Sequence, residues 1–242
     1  MNGLFGRLAL AAGVIAAALV LAAGPANRFG VLDWMTALGL LRYGVYAAAA
    51  AGVLAVLWLI FALVGRSKAG FGAMLVGLVL AGGAAFVPIN MQMTAAKVPF
   101  IHDITTDTAN PPVFVALKEA RAAAPNGVDY NTAENAEATQ KGYPDIGPLI
   151  TAVPPADMFK RAEETGRAMG WEIAAAVPEE GRIEATDTTM WWGFKDDIVI
   201  RIVADGEGSR LDIRSMSRVG KSDLGKNAER IRKFLAAVKE AK

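Results

Sequence analysis

IVIRIVADGEGSRLDIRSMS, residues 198–217, decides how the water-soluble part of this chain folds. Ile198, Ile200 and Ile202 alternate with Val199, Arg201 and Val203. Beyond the turn sequence DGEG, Leu211 and Ile213 alternate with Asp212, Arg214 and Met216. A period of two puts one set of side chains on a core and the other on the opposite face. Ile198–Ala204 and Ser209–Ser217 therefore read as paired strands joined by a tight hairpin. Upstream, Trp171–Val177 and Arg182–Thr188 flank PEEG in the same manner. Helices bracket these four strands. One starts at Pro155, buries Met158, Phe159, Ala162, Thr165 and Met169, and stops at Gly170. The other is capped by Asp223 and carries the stripe Leu224, Ala228, Ile231, Leu235 and Val238. A shorter helix is expected after Pro111-Pro112, from Val113, Phe114, Leu117 and Ala120. PFIHDITTDTANPP (99–112) and residues 124–153, with YPDIGP, read as ordered loops. The expected fold for residues 99–242 is α+β, an antiparallel four-stranded sheet with helices on one face.

The N-terminal part is of a different composition. Of 25 basic and 24 acidic residues, residues 1–96 hold only Arg7, Arg28, Asp33, Arg42, Arg66 and Lys68. Between these charges lie three apolar runs, read as transmembrane helices over 4–24, 43–65 and 69–88, with 89–98 as a linker. Each approaches the roughly 20 residues that cross a bilayer core. The first run also fits a cleaved leader, with Arg7 before a short apolar core and Ala22-Ala23-Gly24 after it. Either reading leaves the C-terminal domain on the side opposite the Gly65–Gly70 loop. Arg66 and Lys68 in that loop suggest it is cytoplasmic, and hence an extracytoplasmic C-terminal domain. Small residues recur every four positions, as in Ala9, Gly13 and Ala17, or Gly44, Ala48 and Gly52. Such stripes bring helices close within this chain, or in a homodimer or with another membrane protein. No ionisable residue lies well inside a span, so an ion or proton path has no candidate side chain.

Composition excludes several kinds of chemistry. The net charge of +1 gives no electrostatic footprint for nucleic acid. With no cysteine and one histidine, thiolate catalysis and Cys- or His-rich metal centres have no ligands, and no cofactor is expected. VGKSDLGK (219–226) lacks the residue order of a phosphate loop, and Gly220, Ser222 and Asp223 read as a turn and helix cap.

FIHDITTD at 100–107, YPDI at 143–146, IEATDTT at 183–189, FKDDIVIRI at 194–202 and DIRSMSRVGKSDLGKNAERIRKF at 212–234 together resemble the DUF1499 family. The resemblance covers most of residues 99–240 and stops short of the apolar runs. It implies no settled activity; in some members a similar domain sits outside the cytoplasm or in an organelle lumen.

The most suggestive residues for function are Arg201, Arg214 and Arg218, whose guanidinium forks suit carboxylate or phosphate. Asp187, Asp196, Asp197 and Asp212 supply the opposite charge. The competing reading is an ion-pair network on a polar sheet face. Adjacent Asp196 and Asp197 point to opposite faces and make a poor dyad for one ion. His102, Asp103 and Asp107 form a second group, which Asx turns explain equally well. Ser215 and Ser217 follow the inward parity, with no second histidine to activate them. Trp191-Trp192 and Phe194 suit hairpin packing, a ligand gate or a membrane-surface anchor. Two functions remain: a membrane-anchored module binding a lipid, an anionic amphiphile or a partner protein, and an enzyme using the Asp/Arg cluster.

Overall fold

A computed structural model describes residues 2–65 and 68–241. It contains two compact units, Met1–Thr94 with Met190–Gly193, and Ala95–Thr189 with Phe194–Lys242.

The first unit has three helices, α1 (Asn2–Arg28), α2 (Trp34–Gly65) and α3 (Phe71–Ala95). All three are long and apolar enough to cross a membrane. Many of their large side chains are exposed, among them Ile15, Leu21, Val56, Leu63 and Val79, as lipid-facing positions would be. Asp33 opens α2 by accepting from the amides of Met35 and Thr36, so this helix begins nine residues before the apolar run it contains. Likewise α3 continues through Pro88 to Ala95, and the segment read as a linker is mostly helical. Glycine permits the closest approach. A Cβ on Gly13 would lie 2.2 Å from the Gly77 carbonyl oxygen, and one on Gly77 would lie 2.4 Å from that of Ala9. Gly44 packs beneath Val20, whereas Gly52 faces open space. Trp192 packs with the Ala16, Val20 and Leu41 cluster of this unit, and its carbonyl accepts from Asn27 Nδ2 at 2.7 Å. Trp191 is half exposed. Arg66, on which part of the loop-charge argument rests, lies outside the described residues.

The second unit runs β1 (Asp103–Thr105), α4 (Lys118–Ala122), α5 (Thr132–Gly142), β2 (Leu149–Thr151), α6 (Pro155–Ala168), β3 (Glu172–Val177), β4 (Arg182–Thr188), β5 (Lys195–Asp205), β6 (Gly208–Ser217) and α7 (Lys226–Glu240). The sheet has six antiparallel strands, not four, in the order β1-β6-β5-β4-β3, with β2 also on β6. The two additional strands are three residues each, too short to display alternation. The 3₁₀ turn Pro178–Glu180 and Gly181, at φ +60°, join β3 to β4.

Register assigns the faces. Ile200 pairs with Ile213, Ile202 with Leu211 and Ile183 with Ile200. This apolar face packs on Met158, Phe159 and Ala162 of α6 and on Ala228, Ile231, Phe234 and Val238 of α7. Trp171 stacks on Phe234 at 5.2 Å between ring centroids. The opposite face is also covered. Phe114 and Leu117, in the approach to α4, bury Val199 and Met216. The expectation of helices on one face therefore gives way to α6 and α7 on one side and the 106–130 segment on the other. That second cover is held by polar contacts. Glu184, fully buried, accepts from the amides of Val115 and Ala116 at 3.0 and 2.9 Å and from Leu117 at 2.9 Å. A carboxylate from β4 thus satisfies amides at the entry to α4 that no helix bond reaches.

Candidate functional site

Strand pairing places the arginines. Arg182 pairs with Arg201 and Arg201 with Asp212, while Arg214 sits opposite Val199 and Thr105. Arg201 and Arg214 therefore share one face, as the parity of their strands requires. Their partners separate them into distinct groups.

In the first group, Arg201 Nη2 donates to Asp107 Oδ2 at 3.0 Å and to Asp212 Oδ2 at 2.9 Å. Arg210 bridges the same two carboxylates. Thr106 Oγ1 donates to Asp212 Oδ1 at 3.2 Å. Burial alone would raise the Asp212 carboxyl; the guanidiniums of Arg210 and Arg201 outweigh it and hold it below 3.8. Asp107 also accepts from the amides of Ala109 and Asn110, so it serves as Asx turn and counter-ion together.

In the second, Arg214 forms a bidentate fork on Asp103 at 2.9 and 2.8 Å. It also donates to the carbonyls of Pro112 and Val128 and lies over the rings of Phe114 and Tyr130. In the third, Asp197 accepts from Arg218 Nε and Arg121 Nη1, both at 2.8 Å, and from Thr186. Arg121 is fully buried, and burial pulls its pKa down against the pull of Asp197. Its Nε has no hydrogen-bond partner among the described residues.

The fourth group lies on the opposite face. Arg230 of α7 pairs with Asp196 at 2.6 Å and with Asp187 at 2.8 Å. It also reaches Ser215 Oγ and Asn227 Oδ1, and Asn227 Nδ2 donates to the His102 carbonyl and to Ser217 Oγ. Ser215 and Ser217 do face inward, where amide and guanidinium groups occupy them. The His102 ring is nearly buried, with Nδ1 3.4 Å from the Lys221 carbonyl oxygen. Asp223 caps α7 through the amides of Gly225 and Asn227, and burial raises its carboxyl above 3.8.

The anticipated residues are thus not one cluster. Arg201, Asp107 and Asp212 meet. Arg214 with Asp103, and Arg218 with Asp197, form separate pairs. Asp187 and Asp196 lie across the sheet. Sequence reasoning passed over Arg121, Arg182, Glu184, Arg210 and Arg230. Only Arg182, Glu184 and Arg210 gave any signal, as charged residues at the polar parity of strands.

Free donors beside a cavity distinguish one place. Arg210 Nη1, Arg218 Nη1 and Arg121 Nε also lack a partner among the described residues, but none of these arginines lines any of three cavities. All three nitrogens of Arg214 and of Arg230 are engaged. Arg201 uses only Nη2, and Arg182 uses Nε on Glu180 and Nη1 on Glu184. Arg201 Nε and Nη1 and Arg182 Nη2 have no partner among the described residues. Both arginines line one cavity of about 250 Å³, walled by Pro111, Pro112, Val113, Val115 and Val199. Val113 and Val115 are exposed, Val199 is buried. Two further cavities, of about 720 and 320 Å³, have no arginine in their walls. Among the described residues no group of three His, Asp or Glu is placed to hold a metal ion.

A family model described as protein of unknown function (DUF1499) matches residues 103–238. No curated protein matches the chain.

Proposed function

The chain belongs to the DUF1499 family, and we propose that it is a membrane-anchored binding module whose soluble domain takes an anionic amphiphile in the groove between residues 110–115 and β5. One observation carries this reading: an apolar groove whose polar wall is Asn110, Glu180 and two neighbouring guanidiniums that keep three unengaged donor nitrogens. Small-molecule sites are typically apolar with a few placed polar groups. Cross-strand neighbours stand about 5 Å apart at Cβ, so Arg182 and Arg201 are spaced to share one tetrahedral or planar anion. The valines and prolines suit an alkyl or acyl segment next to it.

An enzymatic reading of the Asp/Arg cluster has less support. Asp103, Asp197 and Asp212 are each neutralised by a guanidinium. Asp223, whose carboxyl is raised, lines none of the three cavities. The proposed location of the domain is extracytoplasmic, from span parity and the basic loop at Arg66 and Lys68. The test is mass spectrometry of lipids and small molecules that co-purify with the full chain. An acidic amphiphile enriched over the bulk lipid, and lost in Arg201→Ala, is the expected result. Recovery of bulk lipid alone, in the same proportions from both proteins, would sink the proposal.

A further inference from the structure

Within the proposed groove, Arg182 carries two carboxylates of unlike character. Glu184 is buried and fixed by three backbone amides. Glu180 is tied to Arg182 Nε at 2.8 Å and to nothing else among the described residues, and its side chain is 57% exposed. It stands at the end of the 3₁₀ turn, just before left-handed Gly181, and it lines the cavity beside Arg182 and Arg201. Its carboxylate therefore holds one donor of the guanidinium that a ligand anion would use, next to the unengaged Nη2 and with the same charge as the ligand.

We propose that Glu180 is a built-in competitor for the anion seat, and that the ligand headgroup which displaces it is a phosphate. This rests on the groove being the binding site. A displacing anion must recover the Arg182 Nε bond that Glu180 gives up and gain more besides. A carboxylate ligand has two acceptor oxygens, one needed to replace Glu180. A phosphate monoester has three terminal oxygens, enough to take Arg182 Nε and Nη2 and still reach Arg201 Nε or Nη1. Glu180 is free to swing away, because its own backbone link to the fold is the Pro178–Gly181 turn and its side chain has no second tie. No covalent step is involved.

The test uses the full chain in phosphatidylcholine nanodiscs, titrated with octyl phosphate and with octanoate, with empty nanodiscs subtracted. Wild type should bind octyl phosphate more tightly than octanoate. Glu180→Gln should bind octyl phosphate about three- to fivefold more tightly than wild type, the size of an exposed charge pair. Glu179→Gln removes the same charge one residue away, outside the pair, and should leave affinity within about twofold. Equal gains from both variants would mean a general field rather than displacement and would overturn the inference. So would wild-type binding that Glu180→Gln leaves unchanged, or octanoate bound as tightly as octyl phosphate; in those cases the groove itself still stands. Absence of binding to wild type and to Glu180→Gln alike, with unchanged melting temperatures, would overturn the groove as well.

Discussion

Arg214→Ala should cost the soluble domain about 3–5 kcal/mol, the range for breaking a buried ion pair. The magnitude follows from what the arginine leaves behind. Asp103 is fully buried, and both of its oxygens are engaged by Arg214. The carbonyls of Pro112 and Val128 lose a donor, and the rings of Phe114 and Tyr130 lose the planar group between them. A domain is typically stable by about 5–15 kcal/mol, so this one change removes a large fraction. At about 2–4 °C per kcal/mol for a chain of this size, the melting temperature should fall by about 6–20 °C. The assay is thermal unfolding of the full chain by circular dichroism, with the strand signal followed separately from the helices. The paired variant Asp103→Leu with Arg214→Met removes both charges and keeps the volume, and it should recover most of the loss. A drop below about 1 kcal/mol for Arg214→Ala, or a double variant no better than the single, would refute the assignment of this pair as a structural tie.

Three further outcomes are expected. The Asp212 carboxyl is held below 3.8 in the folded state, so its stabilisation is complete above that pH and is lost as pH falls through the lower folded value. Melting temperature should thus be flat from about pH 7 to 5 and decline below about pH 4, with a shallower decline in Asp212→Asn; an equal decline would remove Asp212 from the account. Gly77→Leu should destabilise the helical unit, since even a Cβ there would lie 2.4 Å from the Ala9 carbonyl oxygen; faster protease cleavage of the spans in detergent would register it, and Gly52→Leu, in open space, should be silent. A phosphatase fused after Lys242 should be active outside the cytoplasm, and activity of a cytoplasm-only reporter there would reverse the proposed topology.

Much of the architecture was legible because it depends on period. β5 and β6 show the alternation that puts Ile198, Ile200, Ile202, Leu211 and Ile213 on the core, and the α6 stripe meets Met158, Phe159, Ala162 and Thr165. The α7 stripe meets Ala228, Ile231 and Val238 but passes over fully buried Phe234, while Leu235 is partly buried and Leu224 precedes the helix. What the sequence concealed lacks a period of its own. β1 and β2 borrow their order from β6 and would not be strands without it. α5, TAENAEATQKG, has no apolar stripe beyond alanine; its one local signal is Asn131 three residues before Glu134, and the Asn131 side chain does accept from the Glu134 amide. Parity correctly put Arg201 and Arg214 on one face, but pairing is a property of the tertiary fold. Asp103 is 111 residues from Arg214, and nothing local marks Glu184 as the anchor of a distant loop. The candidate groove was therefore half visible, through Arg201, while Arg182, Glu180 and the valine wall were not.

The position of β6 has a consequence for synthesis. It is the strand on which β1, β2 and β5 all depend, yet it is made nearly last. Asp103 must wait for Met216, its register partner. At about 5–20 residues per second, the ribosome takes roughly 6–23 s to cover that interval. Throughout it the FIHDITTD segment has no ladder and Asp103 no guanidinium, while the three helices are already made and available to the bilayer. The nascent domain is thus a membrane-tethered, unfinished sheet until the final hairpin arrives, and a chain stopped before residue 208 would keep its spans and the β3-β4-β5 pairings but lose every pairing made by β6.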